Sequence, residues 1–175
     1  GCRGYEFRQT CCHISPNWFQ LKPVGARLSD IQIGNVECVF LNILAAWLHD
    51  IGYVAGVAET GFHPLDGGRY LRRMGWPEPL CTLVAHHTAA LVEAEARGLA
   101  DVLIREFPPM DSPTSDALTF ADLTTGPTGR RVDVEERIAE ILERYDPGHV
   151  VHESIRRSAP TLIATVRRVE ARLVA

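Results

Sequence analysis

Several things are scarce in this sequence, and each scarcity excludes something. There is one lysine, Lys22, and neither asparagine nor glutamine occurs after Asn42. No apolar run reaches the ~20 residues of a membrane-spanning helix, since the longest, from Val39 to Leu48, is interrupted by Asn42 and stops at His49-Asp50. The opening residues mix charges with cysteines where a secretory signal needs a continuous apolar stretch, so a cytoplasmic location is expected. Paired Cys-x-x-Cys spacings are missing. The five cysteines, Cys2, Cys11, Cys12, Cys38 and Cys81, predict free thiols in a reducing compartment and exclude the usual zinc ribbon. Strong charge of either sign is missing too. A net charge of -4 with dispersed basic residues leaves no electrostatic footprint for nucleic acid or for an anionic membrane surface, and a small-molecule partner is expected. No feature specifies an oligomeric state.

The remaining composition is that of a folded protein. With 175 residues, 46% of them hydrophobic, the chain can close one sizeable core. Its composition changes abruptly near residue 40. Every asparagine and glutamine, the lysine and four of the five cysteines lie within the first 42 residues, and Ala26 is the only alanine among residues 1–40. Residues 1–38 therefore read as an atypical arm, either native and poorly organised or foreign to the rest of the chain. Residues 39–175 read as one helical domain.

From residue 39 the periodicity is helical and no alternating run of strand length stands out, which predicts an all-α fold. Phe40, Ile43, Leu44, Trp47, Leu48 and Ile51 recur at three- and four-residue steps, giving a buried helix with His49 and Asp50 in its last turn, stopped by Gly52. Trp47 and Trp76 are expected in the core. Pro64 is placed to open a helix that ends at Gly75, and His63 then stands at its start. Pro77 starts another, carrying Leu80, Leu83, Val84 and His87 on one face with His86 one step around. A short helix runs to Phe107, and Thr114 or Ser115 opens the one that carries Asp122. Two more are expected over residues 133–145 and 149–158, with a last one after Pro160.

Histidine and aspartate within apolar helices need a partner or a metal, because burying either alone costs several kcal/mol. His49-Asp50, His63, His86-His87 and Asp122 all have such settings, and imidazoles and carboxylates converging from several helices are how bundles build metal sites. Arg69, Arg72 and Arg73, on the helix that begins beside His63, read either as a fork for substrate phosphate or as a solvated face. Thr124 and Thr125 offer hydroxyls to a phosphate or form an ordinary turn. His149 and His152 read as exposed helix residues, and Cys81 as a buried small hydrophobe.

Residues 45–127 resemble the HD-domain superfamily of metal-dependent phosphohydrolases. The likeness rests on Ala45-Ala46-Trp47-Leu48-His49-Asp50-Ile51-Gly52, on His63-Pro64-Leu65-Asp66-Gly67-Gly68, on His86-His87 and on Ala117-Leu118-Thr119-Phe120-Ala121-Asp122. The resemblance implies an HD-like helical bundle holding one or two divalent ions. His49, Asp50 and Asp122 would hold the first and Asp50, His63, His86 and His87 the second, with Asp50 as the central catalytic carboxylate. It implies hydrolysis of a phosphoester of a nucleotide or similar small phosphorylated metabolite. Some relatives are di-iron oxygenases, and a non-catalytic metal-binding or sensing domain is the other alternative. The donor types suit Mn, Fe, Zn, Co or Ni without choosing among them.

Three departures qualify the likeness. The family's first metal-binding histidine lies on a preceding helix, where this sequence has Trp18-Phe19-Gln20 and only His13 nearby. Tyr53 replaces the lysine of the cyclic-dinucleotide branch, and Thr88-Ala89-Ala90 follows His86-His87 where that branch has Gly-Tyr-Pro. Low activity in this chain is the consequence expected of the missing histidine.

Overall fold

A computed structural model describes residues 36–174, with side chains described from Val39. Among them are eight α-helices and no strand: α1 (Val36–Leu48), α2 (His63–Arg73), α3 (Glu78–Ala85), α4 (Ala90–Ala96), α5 (Ala100–Glu106), α6 (Pro113–Leu123), α7 (Val134–Arg144) and α8 (Val150–Leu173). Short 3-10 turns, Ile51–Tyr53 and His87–Ala89, follow α1 and α3. The all-α expectation holds. No helix among the described residues is long and apolar enough to cross a membrane. The expected arm lies outside the described residues except for the first helical positions.

Local signals set most boundaries. Ser112 caps α6 reciprocally with Ser115, just before a first-turn proline. The Asp133 carboxylate accepts the Glu135 N–H at the start of α7. Glycines at positive φ, Gly75 after α2 and Gly98 after α4, let the chain leave a helix at little cost. The two helices expected over 149–158 and beyond Pro160 are one. Pro160 lies inside α8 on its exposed side, as does Arg156, whose carbonyl loses its usual N–H partner and can turn to water.

The core has two parts. The larger joins Ala45, Phe62, Leu65, Leu71, Leu80, Val84, Leu103 and Phe107 from α1 to α5 with Leu118 of α6. The smaller joins Leu123 of α6 to Val134 and Ile138 of α7 and Leu162 and Val166 of α8. Helix α6 thus belongs to both.

The orientation of α1 departs from expectation. Its core side is Ala45 with Leu41, Leu44 and Leu48, while Val39, Phe40, Ile43 and Trp47 are exposed, Trp47 by 69%. This helix is apolar on nearly every side, so periodicity could not choose which face turns inward. Trp76 does pack against the core.

Candidate metal centre

Four segments of chain meet where α1 ends. His49 and Asp50 follow α1 directly, with the His49 N–H still donating to the Ala45 carbonyl. The turn then presses on the start of α2. Gly52 allows this, because a Cβ there would lie 2.0 Å from the His63 carbonyl oxygen. His63 is the first residue of α2, and the loop before it is gathered by Asp66. That fully buried carboxylate accepts the N–H groups of Glu59, Thr60 and Gly61 and the Thr60 hydroxyl. His87 comes from the turn after α3, and Asp122 from the last turn of α6.

The functional atoms face one another. Asp50 Oδ1 lies 3.5 Å from His63 Nε2 and 4.0 Å from His87 Nε2, and the two Nε2 atoms are 3.1 Å apart. The other oxygen of Asp50 lies 3.4 Å from His49 Nε2, which is 3.6 Å from Asp122 Oδ1. Asp50 therefore presents its two oxygens to two groups of partners. Its side chain is 39% exposed, against 17% for His49 and Asp122, 14% for His63 and 4% for His87. The cluster opens to solvent at Asp50.

Backbone carbonyls orient two of the rings. His87 Nδ1 lies 2.6 Å from the Val84 carbonyl and His49 Nδ1 2.9 Å from that of Ala46, so both rings turn Nε2 inward. Tyr53 stacks on His63, with ring centroids 3.9 Å apart and 16° between the planes.

Electrostatics divides the histidines. Burial alone would lower the His49 pKa, but Asp122, whose Oδ1 lies 3.6 Å from Nε2, and then the charge of Asp50 raise it to about 9. Burial would raise Asp122, yet the adjacent His49 and the hydroxyl that Thr88 donates to it hold it well below the ordinary carboxylate range. His63 is pushed well down, first by burial and then because a charge on it would be repelled by a charge on His87 or His49 and by Arg97, the last set 5.7 Å from the Phe62 ring. His87 is lowered by burial and by His49, against the pull of Asp50 and Asp122. The carboxylates thus favour the charged form of His49, whereas burial disfavours charge on His63 and His87.

The donor set fits a divalent cation. Asp50, His63 and His87 offer ligand atoms all within 4.8 Å of one another. Groups each about 2.0–2.2 Å from one ion stand roughly 3–4 Å apart, the range found here. Neutral imidazole is the ligating form of histidine.

The structure does not bring every expected residue to this point. His86 is the residue after α3, and its Nε2 meets the Phe107 carbonyl at 2.6 Å; the helix ends at Ala85, so adjacent histidines diverge and only His87 enters the cluster. The arginines are matched by carboxylates. Arg69 holds Glu106 through two bonds of 2.8 and 2.6 Å, Arg72 pairs with Glu78 and lies over the Phe107 ring, and Arg73 meets Glu59 at 2.9 Å. As a phosphate fork they would first have to leave these partners. Thr124 is buried and donates to the Phe120 carbonyl. His149 caps α8, and His152 bonds the Leu142 and Tyr145 carbonyls. Cys81 is buried, with its thiol pushed up to about 11 by burial and then by Glu78. His13 lies outside the described residues.

Sequence reasoning missed one contact altogether: the Thr88 hydroxyl donates to Asp122 Oδ2. Nothing in Thr88-Ala89 signals it, because a threonine carries no mark of the turn it will adopt. Comparison with family models, curated proteins and solved structures returns no match.

Proposed function

We propose that this chain is a metal-dependent phosphohydrolase of the HD type, acting on a phosphoester of a nucleotide or similar small metabolite. The observation that carries the reading is the convergence of Asp50, His63 and His87 from three segments of chain, with His49 and Asp122 adjoining through the second oxygen of Asp50. His49, Asp50 and Asp122 would hold one ion, and Asp50, His63 and His87 another. A divalent ion bound here supplies Lewis-acid activation of water and neutralises charge developing on a phosphoryl oxygen.

The chain's own residues do the rest. The Val84 and Ala46 carbonyls keep Nε2 of His87 and His49 aimed inward, so little reorganisation is needed when the cluster is engaged. Asp50, the most exposed of the five, stands where substrate and water enter and is the carboxylate placed to orient them. Asp122 Oδ1 faces Nε2 of His49, and the two would be joint ligands of an ion at that site.

Elemental analysis of purified protein, run alongside a screen of phosphomonoesters and cyclic nucleotides, tests the reading. We expect at least one Mn, Fe, Zn, Co or Ni per chain and hydrolysis that a chelator stops. Metal below one per chain with no turnover would replace the hydrolase with a non-catalytic binding domain. Iron with a mixed-valence spectrum would replace it with an oxygenase.

A further inference from the structure

The two residues after His87 hold a backbone conformation that L-residues rarely adopt. Thr88 has φ 45° and ψ 54°, Ala89 has φ 57° and ψ 33°, and they are the only non-glycine residues at positive φ among those described. In that region Cβ crowds the following carbonyl oxygen, and a β-branched side chain such as threonine's is the worst placed. Glycine would hold both positions without strain, as it does after α2 and α4. Such strain persists where surrounding structure imposes it, and it collects at functional sites.

The surroundings here are specific. The Thr88 hydroxyl donates to Asp122 Oδ2, while the other oxygen of that carboxylate faces His49 Nε2. The left-handed pair also separates α3 from α4, leaving His87 on the turn with its ring toward Asp50. One short stretch therefore delivers a ring to one side of the cluster and a hydroxyl to the other.

We propose that Thr88 is a positioning residue that acts through Asp122, and that the strained Thr88-Ala89 turn serves to aim its hydroxyl. A carboxylate at a helix end can rotate about its side-chain bonds. A donor fixed on Oδ2 holds that rotation and leaves Oδ1 for His49, or for a cation in its place. The Mn2+ readout rests on the proposed function; the His49 readout rests on geometry alone.

Thr88→Ser and Thr88→Ala decide the matter, because both relieve β-branching in the turn and they differ only in the hydroxyl. The readouts are Mn2+ affinity by calorimetry and the His49 imidazole nitrogen resonances of the metal-free protein. Thr88→Ser should match the wild type in both. Thr88→Ala should lose about 10–100-fold in Mn2+ affinity, as disturbing the partner of a ligand does, and should shift the His49 resonances. Ser and Ala variants that behave alike in both readouts would overturn the proposal. If the wild type takes up no Mn2+, the His49 resonances alone decide the role of Thr88.

Discussion

A single methyl group added at Gly52 tests the centre at its tightest point. The Cβ introduced by Gly52→Ala would lie 2.0 Å from the His63 carbonyl oxygen, 2.7 Å from its carbon and 2.8 Å from its Cα, all backbone atoms that cannot rotate away. The oxygen contact is about 1 Å inside the closest approach real Cβ atoms make, so the turn and the start of α2 must part by about that much. Overpacking of this kind costs about 1–3 kcal/mol, and at this chain length each kcal/mol lowers Tm by about 2–4 °C. The larger effect falls on the cluster. Metal-ligand distances tolerate only about 0.2 Å, so a displacement of about 1 Å removes His63 from the group it forms with Asp50 and His87. Mn2+ affinity should fall by more than the roughly 10–100-fold seen on disturbing a ligand's partner. Gly126→Ala is the control, because the atoms nearest its Cβ, a Val132 methyl at 3.2 Å and the Arg130 carbonyl oxygen at 3.5 Å, belong to the loop after α6 and not to the cluster. It should bind Mn2+ as the wild type does. Calorimetry and thermal unfolding read both variants, and unaltered Mn2+ affinity in Gly52→Ala would refute the argument that this contact sets the position of His63.

Three further outcomes are expected. The metal-free protein should be most stable near pH 6.5. Above it the stabilisation from the raised His49, ordinary value 6.5, is lost as pH rises toward about 9; below it the lowered His63, His86 and His87 must be protonated against the fold. Unfolding midpoints across pH in EDTA check this, and a flat profile between 6.5 and 9 would count against it. Asp66→Asn places an amide N–H2 against donors that a carboxylate now accepts, and should cost about 2–3 kcal/mol in denaturant unfolding. Arg69→Ala should lose about 1 kcal/mol with its two-bond partner Glu106 and leave KM for a phosphoester unchanged; a raised KM with unaltered stability would return the arginine to the substrate.

Much of this was legible in the sequence because it depends on local chemistry. Proline and glycine punctuation marks both ends of α2 and the start of α3, and Asp133 before an apolar run marks α7. The residues of the cluster were legible because His49, Asp50, His63, His87 and Asp122 lie in apolar surroundings that demand a partner. What could not be read depends on distant chain. His86 and His87 are chemically identical neighbours, and only the end of α3 at Ala85 followed by a left-handed turn separates their directions. The arginines look available until Glu59, Glu78 and Glu106 are brought beside them by folding. The inward face of α1 was hidden by uniform hydrophobicity, and Pro160 reads as a break although its exposed position lets α8 continue.

Helix α6, shared between the two parts of the core, makes the cluster a clasp. Leu118 is anchored in the larger part and Leu123 in the smaller, with Asp122 between them reaching His49 at the end of α1. Opening the smaller part would therefore strain Asp122 away from its partner, and gripping Asp122 would resist that opening. By thermodynamic linkage, a ligand that binds only the closed arrangement must slow amide exchange in α7 and α8, although neither helix supplies an atom to the cluster.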